Sequence, residues 1–196
     1  MKALTLSTQQ QFTPKSAQQH LQEGNDRFVN NNPVNRNLLE QVKDTTSGQY
    51  PIAAVVSCID SRIPTEIVFD QGIGDIFNAR IAGNFVNTDI LGSLEFACKL
   101  AGSKLIVIMG HTSCGAVKGA CDHAELGNLT AMLKHIQPAV KNVTTEAGED
   151  RSSKNLKFVN EVAVENVRLT INKLKADSPV LNEMISVGEV DIVGAM

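Results

Sequence analysis

Two uninterrupted apolar runs, residues 52–57 and 104–110, constrain the fold more than any other feature of this sequence. A strand with one exposed face alternates apolar and polar side chains, whereas a strand covered on both faces is apolar at nearly every position. The two runs are therefore predicted to be central, parallel strands of one sheet. Residues 76–80 and 190–194 are further strand candidates. The prediction is four parallel strands, with a fifth edge strand as the alternative.

Helical periodicity between these strands predicts the layers that cover the sheet. Apolar side chains recur on one helical face in residues 90–101 and again in residues 156–171. Near the N-terminus, Thr13 and Pro14 are typical of the cap and first turn of a helix, which runs to about Val29. The predicted class is therefore α/β, a mainly parallel central sheet flanked by helices, with an N-terminal helical arm.

Composition narrows the class of partner. The 196 residues include 18 basic and 21 acidic side chains, which give a formal charge of -3 without a basic block. This balance argues against nucleic acid or an anionic membrane as the main partner. The sequence shows no secretory signal and no apolar run near the roughly 18 residues that span a bilayer. We therefore expect a cytoplasmic protein.

Cysteine and histidine side chains follow the two central strands. Cys58 comes directly after the first apolar run, and His111 and Cys114 come after the second. Because the carboxyl ends of parallel strands meet at one edge of a sheet, these side chains are expected to lie together. Two thiolates and one imidazole are three of the four ligands of a tetrahedral zinc ion with one open position. Cys114 also precedes a predicted helix from Gly115 to Cys121, whose N-terminal end is expected to lower the pKa of its thiol.

The remaining cysteines fit other roles. Cys98 lies on an apolar helical face, where core packing is the simpler explanation. Cys121, beside Asp122 and His123, would form a rival ligand set. A separation of seven helical residues places it about 10 Å from Cys114, too far to share one metal ion. Disulfides are the less favoured use of the four cysteines, because a reducing compartment keeps thiols free.

Three motifs, in this order and spacing, resemble those of the β-class carbonic anhydrases. They are Cys-x-Asp-Ser-Arg at residues 58–62, Gly-Asp-Ile-Phe leading to Arg-Ile-Ala-Gly-Asn across residues 74–84, and His-x-x-Cys-Gly at residues 111–115. The resemblance extends from residues 21–28 to residues 192–195. It implies an enzyme with one Zn²⁺ per subunit that hydrates carbon dioxide reversibly to bicarbonate and a proton, by attack of zinc-bound hydroxide on carbon dioxide.

The same resemblance implies that Asp60 and Arg62 are the catalytic pair. Asp60 would accept a hydrogen bond from the zinc-bound water, and Arg62 would hold the carboxylate in a bidentate fork that keeps it oriented and ionised. In a closed state of some members, the aspartate itself becomes the fourth zinc ligand. The bicarbonate site that stabilises this state uses a tryptophan where this chain has Val55, and the chain contains no tryptophan. We expect that bicarbonate site to be absent or much weakened.

A small pocket for carbon dioxide and bicarbonate is also implied by the resemblance. Its residues here are Gln49, Phe77, Ala82, Gly83 and Phe96. Tyrosine is common in the family at the position of Phe96, so this chain loses a hydroxyl group and keeps the apolar wall.

The resemblance further implies a homo-oligomer, a dimer as the minimum and a tetramer as the larger alternative. The expected organisation is a single domain over residues 1–196. Residues 1–46 would form a helical arm that packs on the partner subunit, and residues 47–196 would form the zinc-binding α/β core.

The sequence leaves open two other functions that would use the same three metal ligands. One is a carbon disulfide or carbonyl sulfide hydrolase on the same scaffold. The other is a non-catalytic, zinc-stabilised binding or redox-sensing protein, in which Asp60 permanently closes the metal shell. The presence of Asp60, Arg62 and Gln49 together argues against the second, because a structural zinc site needs none of that pocket.

Overall fold

The sheet of the computed structural model, which describes residues 2–196, consists of four strands. The strands are β1 (Ala53–Ser57), β2 (Ile76–Arg80), β3 (Leu105–Met109) and β4 (Asp191–Ala195). They are all parallel and lie in the order β2-β1-β3-β4. Every residue of β1 and β3 is buried. The prediction of two central parallel strands within a four-stranded sheet is therefore confirmed, and the described residues add no fifth strand.

Helices surround this sheet. They are α1 (Leu6–Gln9), α2 (Pro14–Val29), α3 (Leu38–Asp44), α4 (Thr65–Val68), α5 (Thr88–Glu95), α6 (Gly115–Cys121), α7 (Gly127–Leu133), α8 (Gln137–Asn142), α9 (Leu156–Asp177) and α10 (Pro179–Ser186). Helix α5 continues into a π-helical turn, Phe96–Leu100, closed by a hydrogen bond from the Ala101 N–H to the Phe96 carbonyl. None of the helices in residues 2–196 combines the length and the apolar character that a membrane span requires.

The register of the central strands determines where the two ligand-bearing segments leave the sheet. Ser57, the last residue of β1, pairs with Met109, the last residue of β3. The chain after each strand therefore emerges at the same edge. This is the geometric basis for bringing Cys58 close to His111.

The N-terminal arm begins as the sequence predicts. The Thr13 side chain accepts the Ser16 N–H, and Pro14 occupies the first turn of α2. Ala17 and Leu21 are fully buried against the face of the sheet that carries Val55. One face of the arm therefore packs on its own chain.

Asp70 fixes the rest of the arm to the core. Its buried carboxylate lies 2.5 Å from Nε of Arg27, forms an ion pair with Arg36 and accepts the Val34 N–H at 3.2 Å. The outer surface of the arm is apolar and exposed, through Phe28, Val29, Leu38, Leu39 and Val42. Packing of this outer surface on a partner subunit stays a prediction.

Candidate metal centre

Three predicted ligands meet at the carboxyl edge of the sheet. Sγ of Cys58, a ring nitrogen of His111 and Sγ of Cys114 all lie within 4.8 Å of one another. Cys58 follows β1, His111 follows β3, and Cys114 immediately precedes α6. All three residues are buried, with 3%, 8% and 1% of their surfaces exposed. The cluster is therefore enclosed by protein.

The donor atoms fit a tetrahedral metal ion. The two sulfur atoms lie 3.8 Å apart. Two sulfurs that are each about 2.3 Å from a tetrahedral zinc ion would be separated by about 3.8 Å. Nδ1 of His111 lies 3.0 Å from the Thr112 carbonyl, which favours a proton on Nδ1. Nε2 is buried without a hydrogen-bond partner in the described structure, so its lone pair is available to a metal ion.

The two thiols differ in how readily they ionise. The neighbouring Cys114 thiol, the His111 imidazole and the Gly83 N–H lower the pKa of Cys58, although burial acts in the opposite direction. The neighbouring Cys58 sulfur raises the pKa of Cys114, although backbone N–H groups at the start of α6 act in the opposite direction. The predicted lowering of the Cys114 pKa is therefore wrong, because the adjacent sulfur outweighs the helix end. A bound cation would relieve the repulsion between two thiolates.

Asp60 stands beside this cluster, oriented by Arg62. The Arg62 Nε donates to Oδ1 at 2.8 Å and its Nη2 donates to Oδ2 at 2.7 Å, while the Arg62 N–H donates to Oδ1 at 3.0 Å. The Arg62 side chain holds the pKa of Asp60 well below its usual range. Oδ2 of Asp60 lies 3.8 Å from Nε2 of His111. In this geometry the carboxylate flanks the three donor atoms and is paired with arginine.

Arg80 supports the segment that carries Cys58 and Asp60. Its Nε donates to the Cys58 carbonyl at 3.0 Å, and its Nη2 donates to the Asp60 carbonyl at 2.6 Å. In the sequence Arg80 stands within one of the three motifs, without a predicted role. Its position at the end of β2, beside β1, is the signal that would have identified it.

Gly83 and Ala82 lie in a turn against the metal centre. The Gly83 N–H donates to Sγ of Cys58 at 3.4 Å. Ala82 is half-buried in the same turn. These two of the predicted pocket residues therefore lie in a turn beside Cys58, a predicted metal ligand.

The remaining predicted pocket residues lie elsewhere in this chain. Phe77 and Phe96 form an edge-to-face ring pair, with centroids 6.1 Å apart, on a cavity of about 460 Å³ that none of the three ligands lines. Gln49 is exposed before β1, at the opposite edge of the sheet from Cys58. A single chain does not bring these three side chains to the metal centre.

The other two cysteines are separate from the cluster. All four cysteines are free thiols. Burial raises the pKa of Cys98 to about 12 and that of Cys121 to about 11. Both belong to hydrophobic clusters, and the predicted core packing of Cys98 is confirmed. Neither thiol is a candidate ligand.

Comparison with known proteins agrees with this geometry. The sequence model of a family described as carbonic anhydrase matches residues 53–196. The chain belongs to the carbonic anhydrase family. Carbonic anhydrase 2 of Mycobacterium tuberculosis is 36% identical over 182 residues, covering 92% of this chain and 86% of that protein. The carbonic anhydrase of Mycolicibacterium smegmatis is 35% identical over 182 residues, covering 92% and 87%.

Solved structures place this carbonic anhydrase family member in the β class. A structure from a study of two tetrameric β-carbonic anhydrases of Sordaria macrospora has a TM-score of 0.63 and 26% identity, and the match covers 76% of each chain. The β-carbonic anhydrase CafA of Aspergillus fumigatus has the same fold, with a TM-score of 0.66 at 23% identity over 92% of this chain and 83% of that chain. The family and the fold that the motifs predict are both confirmed.

Proposed function

We propose that this protein catalyses the reversible hydration of carbon dioxide to bicarbonate and a proton. The observation that carries the proposal is the joint geometry of two thiols, one imidazole and an arginine-oriented carboxylate. That carboxylate lies 3.8 Å from the imidazole nitrogen available to a metal. A structural metal site requires four ligands and no oriented carboxylate. Three ligands with such a neighbour are typical of a catalytic site.

Cys58, His111 and Cys114 would hold one Zn²⁺ per subunit. The ion would supply a Lewis acid that lowers the pKa of a water molecule towards neutrality. The buried position of the three ligands keeps competing solvent away from the ion.

Asp60 acts as a hydrogen-bond acceptor and does not take up the proton that the reaction releases. A carboxylate whose pKa is held far below neutrality stays ionised and gains little by taking a proton. Its second role is orientation, because the Arg62 fork fixes both carboxylate oxygens. The Arg62 side chain is 64% exposed, so the centre opens to solvent on this side, where a proton can leave.

Ala82 and Gly83 form the wall of the substrate pocket within one chain. We propose that Gln49, Phe77 and Phe96 complete the pocket of a neighbouring subunit, because within one chain they lie away from the ligands. The organisation would then be one domain over residues 1–196, with residues 47–196 as the core and the arm, residues 1–46, packed on the partner. The exposed apolar surface of the arm supports a homodimer. The tetrameric β-carbonic anhydrases of Sordaria macrospora support a tetramer as the larger assembly.

A closed state, with Asp60 as fourth ligand, would require the Asp60–Arg62 fork to break. A cytoplasmic location is part of the proposal and rests on the sequence alone.

Asp60→Asn and Cys114→Ser test the proposal. We expect Asp60→Asn to keep its zinc and to lose about 10²–10³-fold in carbon dioxide hydration, the usual cost of removing one preorganised polar group. Cys114→Ser should lose zinc. Stopped-flow hydration and metal content measure both outcomes. Full activity in both variants would contradict the proposal, and faster turnover of carbonyl sulfide or carbon disulfide by the parent would favour the hydrolase.

A further inference from the structure

Asn166 is a polar side chain in the apolar face of α9. It is 2% exposed, and the same face carries the buried residues Val162, Ala163 and Val167. A buried amide group costs stability unless it forms hydrogen bonds, and an apolar residue would pack here without that cost. The group that accepts a hydrogen bond from Asn166 therefore indicates why an amide occupies this position.

The partner is the backbone of the turn beside the metal centre. Nδ2 of Asn166 donates to the Gly83 carbonyl at 2.8 Å. This turn is closed by the Asn84 N–H, which donates to the Ile81 carbonyl at 2.9 Å. Gly83 occupies the third position of the turn with φ +82, the conformation of a type II turn.

The orientation of this turn determines what the sulfur of Cys58 meets. In the observed conformation the Gly83 N–H donates to Sγ of Cys58 at 3.4 Å. A type I turn would reverse the central peptide group and turn this N–H away from the sulfur. One hydrogen bond at the metal centre therefore depends on the backbone conformation at Gly83.

Packing of a side chain at residue 83 cannot fix the conformation of this turn. Gly83 has no side chain, and a β-carbon at this position would lie 2.4 Å from Cδ1 of Ile136. The polar contact that reaches the Gly83 carbonyl comes from Asn166, 83 residues later in the chain.

We propose that Asn166 is a positioning residue of the metal centre. By binding the Gly83 carbonyl it holds the turn in the conformation that directs the Gly83 N–H at the Cys58 sulfur. An N–H···S hydrogen bond withdraws electron density from a metal-bound thiolate and orients it. This role deepens the proposed function and rests on the metal site formed by Cys58, His111 and Cys114.

Asn166→Leu removes the donor and keeps the number and branching of the side-chain heavy atoms, and a cavity of about 200 Å³ beside Asn166 leaves room for the larger methyl groups. Thr170→Val is the matched control, because Thr170 is buried one turn further along α9 and lines the same cavity. Both variants are loaded with Co²⁺, whose thiolate charge-transfer absorption reports on the Cys58 and Cys114 sulfurs. We expect Asn166→Leu to shift that band to longer wavelength and to weaken Co²⁺ affinity, measured by chelator competition, by about tenfold. Thr170→Val should match the parent in both readouts.

A second test observes the hydrogen bond between Gly83 and Cys58 directly. With ¹¹³Cd bound, the Gly83 amide proton should show a scalar coupling to cadmium across the N–H···S hydrogen bond. Asn166→Ser, whose hydroxyl is too short to reach Gly83, should lose this coupling while keeping cadmium bound. Coupling retained in Asn166→Ser, or an Asn166→Leu protein with the spectrum and affinity of Thr170→Val, would overturn the role of Asn166 alone. A parent that binds neither metal would overturn the proposed function as well.

Discussion

Asp70→Asn is expected to loosen the N-terminal arm. The Asp70 carboxylate is buried and meets Arg36, whose side chain is 8% exposed, and Arg27, whose side chain is 26% exposed. Asparagine tolerates the left-handed backbone of residue 70, φ 46, so the substitution adds little strain. It removes the negative charge. It also replaces one of the two carboxylate oxygens, which accept hydrogen bonds in the parent, with an NH₂ group that cannot accept them.

The expected loss in the free energy of unfolding follows from the contacts of Asp70. Losing the charge-assisted bond to Arg27 costs about 1.5 kcal/mol, and weakening the bond to Arg36 from charged to neutral costs about as much. The sum, about 3 kcal/mol, lies at the lower end of the range for breaking a buried ion pair. For a chain of this size it corresponds to a fall of about 6–12 °C in the melting temperature.

Urea denaturation of the parent and of Asp70→Asn at pH 7 measures this difference. Asp122→Asn is the control, because Asp122 is exposed and also accepts a backbone N–H, from Ser153 at 2.7 Å, and it should leave stability almost unchanged. A loss below about 1 kcal/mol for Asp70→Asn would refute the reasoning, since that is the scale of one neutral hydrogen bond.

The difference in stability between the parent and Asp70→Asn should also depend on pH. Burial pushes the pKa of Asp70 upward, but Arg27, the Val34 N–H and Arg36 outweigh it, and the pKa is lowered. A group with a lowered native pKa stabilises the fold fully above its unfolded pKa, about 3.9, and loses this contribution as pH falls through the native value. The gap between parent and variant should therefore be largest above about pH 4 and shrink in stronger acid. A gap that widens in acid would contradict this account.

Three further outcomes are expected. Arg62→Lys cannot form the bidentate fork, so it should retain zinc and lose carbon dioxide hydration, measured by stopped flow; unchanged turnover would argue against the fork. Because the neighbouring Cys58 sulfur raises the pKa of both His111 and Cys114, metal binding should release protons. Apparent Zn²⁺ affinity, measured by chelator competition, should then rise about tenfold per pH unit for each proton released, and a flat profile would exclude such release. Cys121→Ala should leave zinc content at one ion per subunit, and a loss of zinc would show that Cys121 takes part in binding.

The strands and the three metal ligands could be predicted because their signals are local. Residues 53–56 and 105–109 are apolar without interruption, and the ligands follow each strand. The start of α2 was predictable for the same reason, since Thr13 and Pro14 determine its first turn within four residues.

The supporting contacts could not be predicted because they join distant segments. Asn166 meets Gly83 across 83 residues, and Arg36 meets Asp70 across 34. Nothing in either segment alone indicates the partner. The one local signal for Asn166 is an amide in a largely apolar helical face. The pKa of Cys114 was mispredicted for a related reason, because its dominant neighbour, Cys58, lies 56 residues away.

The separation of the two thiols along the chain has a kinetic consequence. A metal ion that joins Cys58 to Cys114 closes a loop of 56 residues. By the loop-entropy argument used for disulfides, such a cross-link restricts the unfolded chain by about 4 kcal/mol. Since the ligands are buried at the ends of the two central strands, we expect loss of the ion to require local opening of the segments that carry them. Exchange of the bound ion should then be slow and should follow the opening rate of those segments.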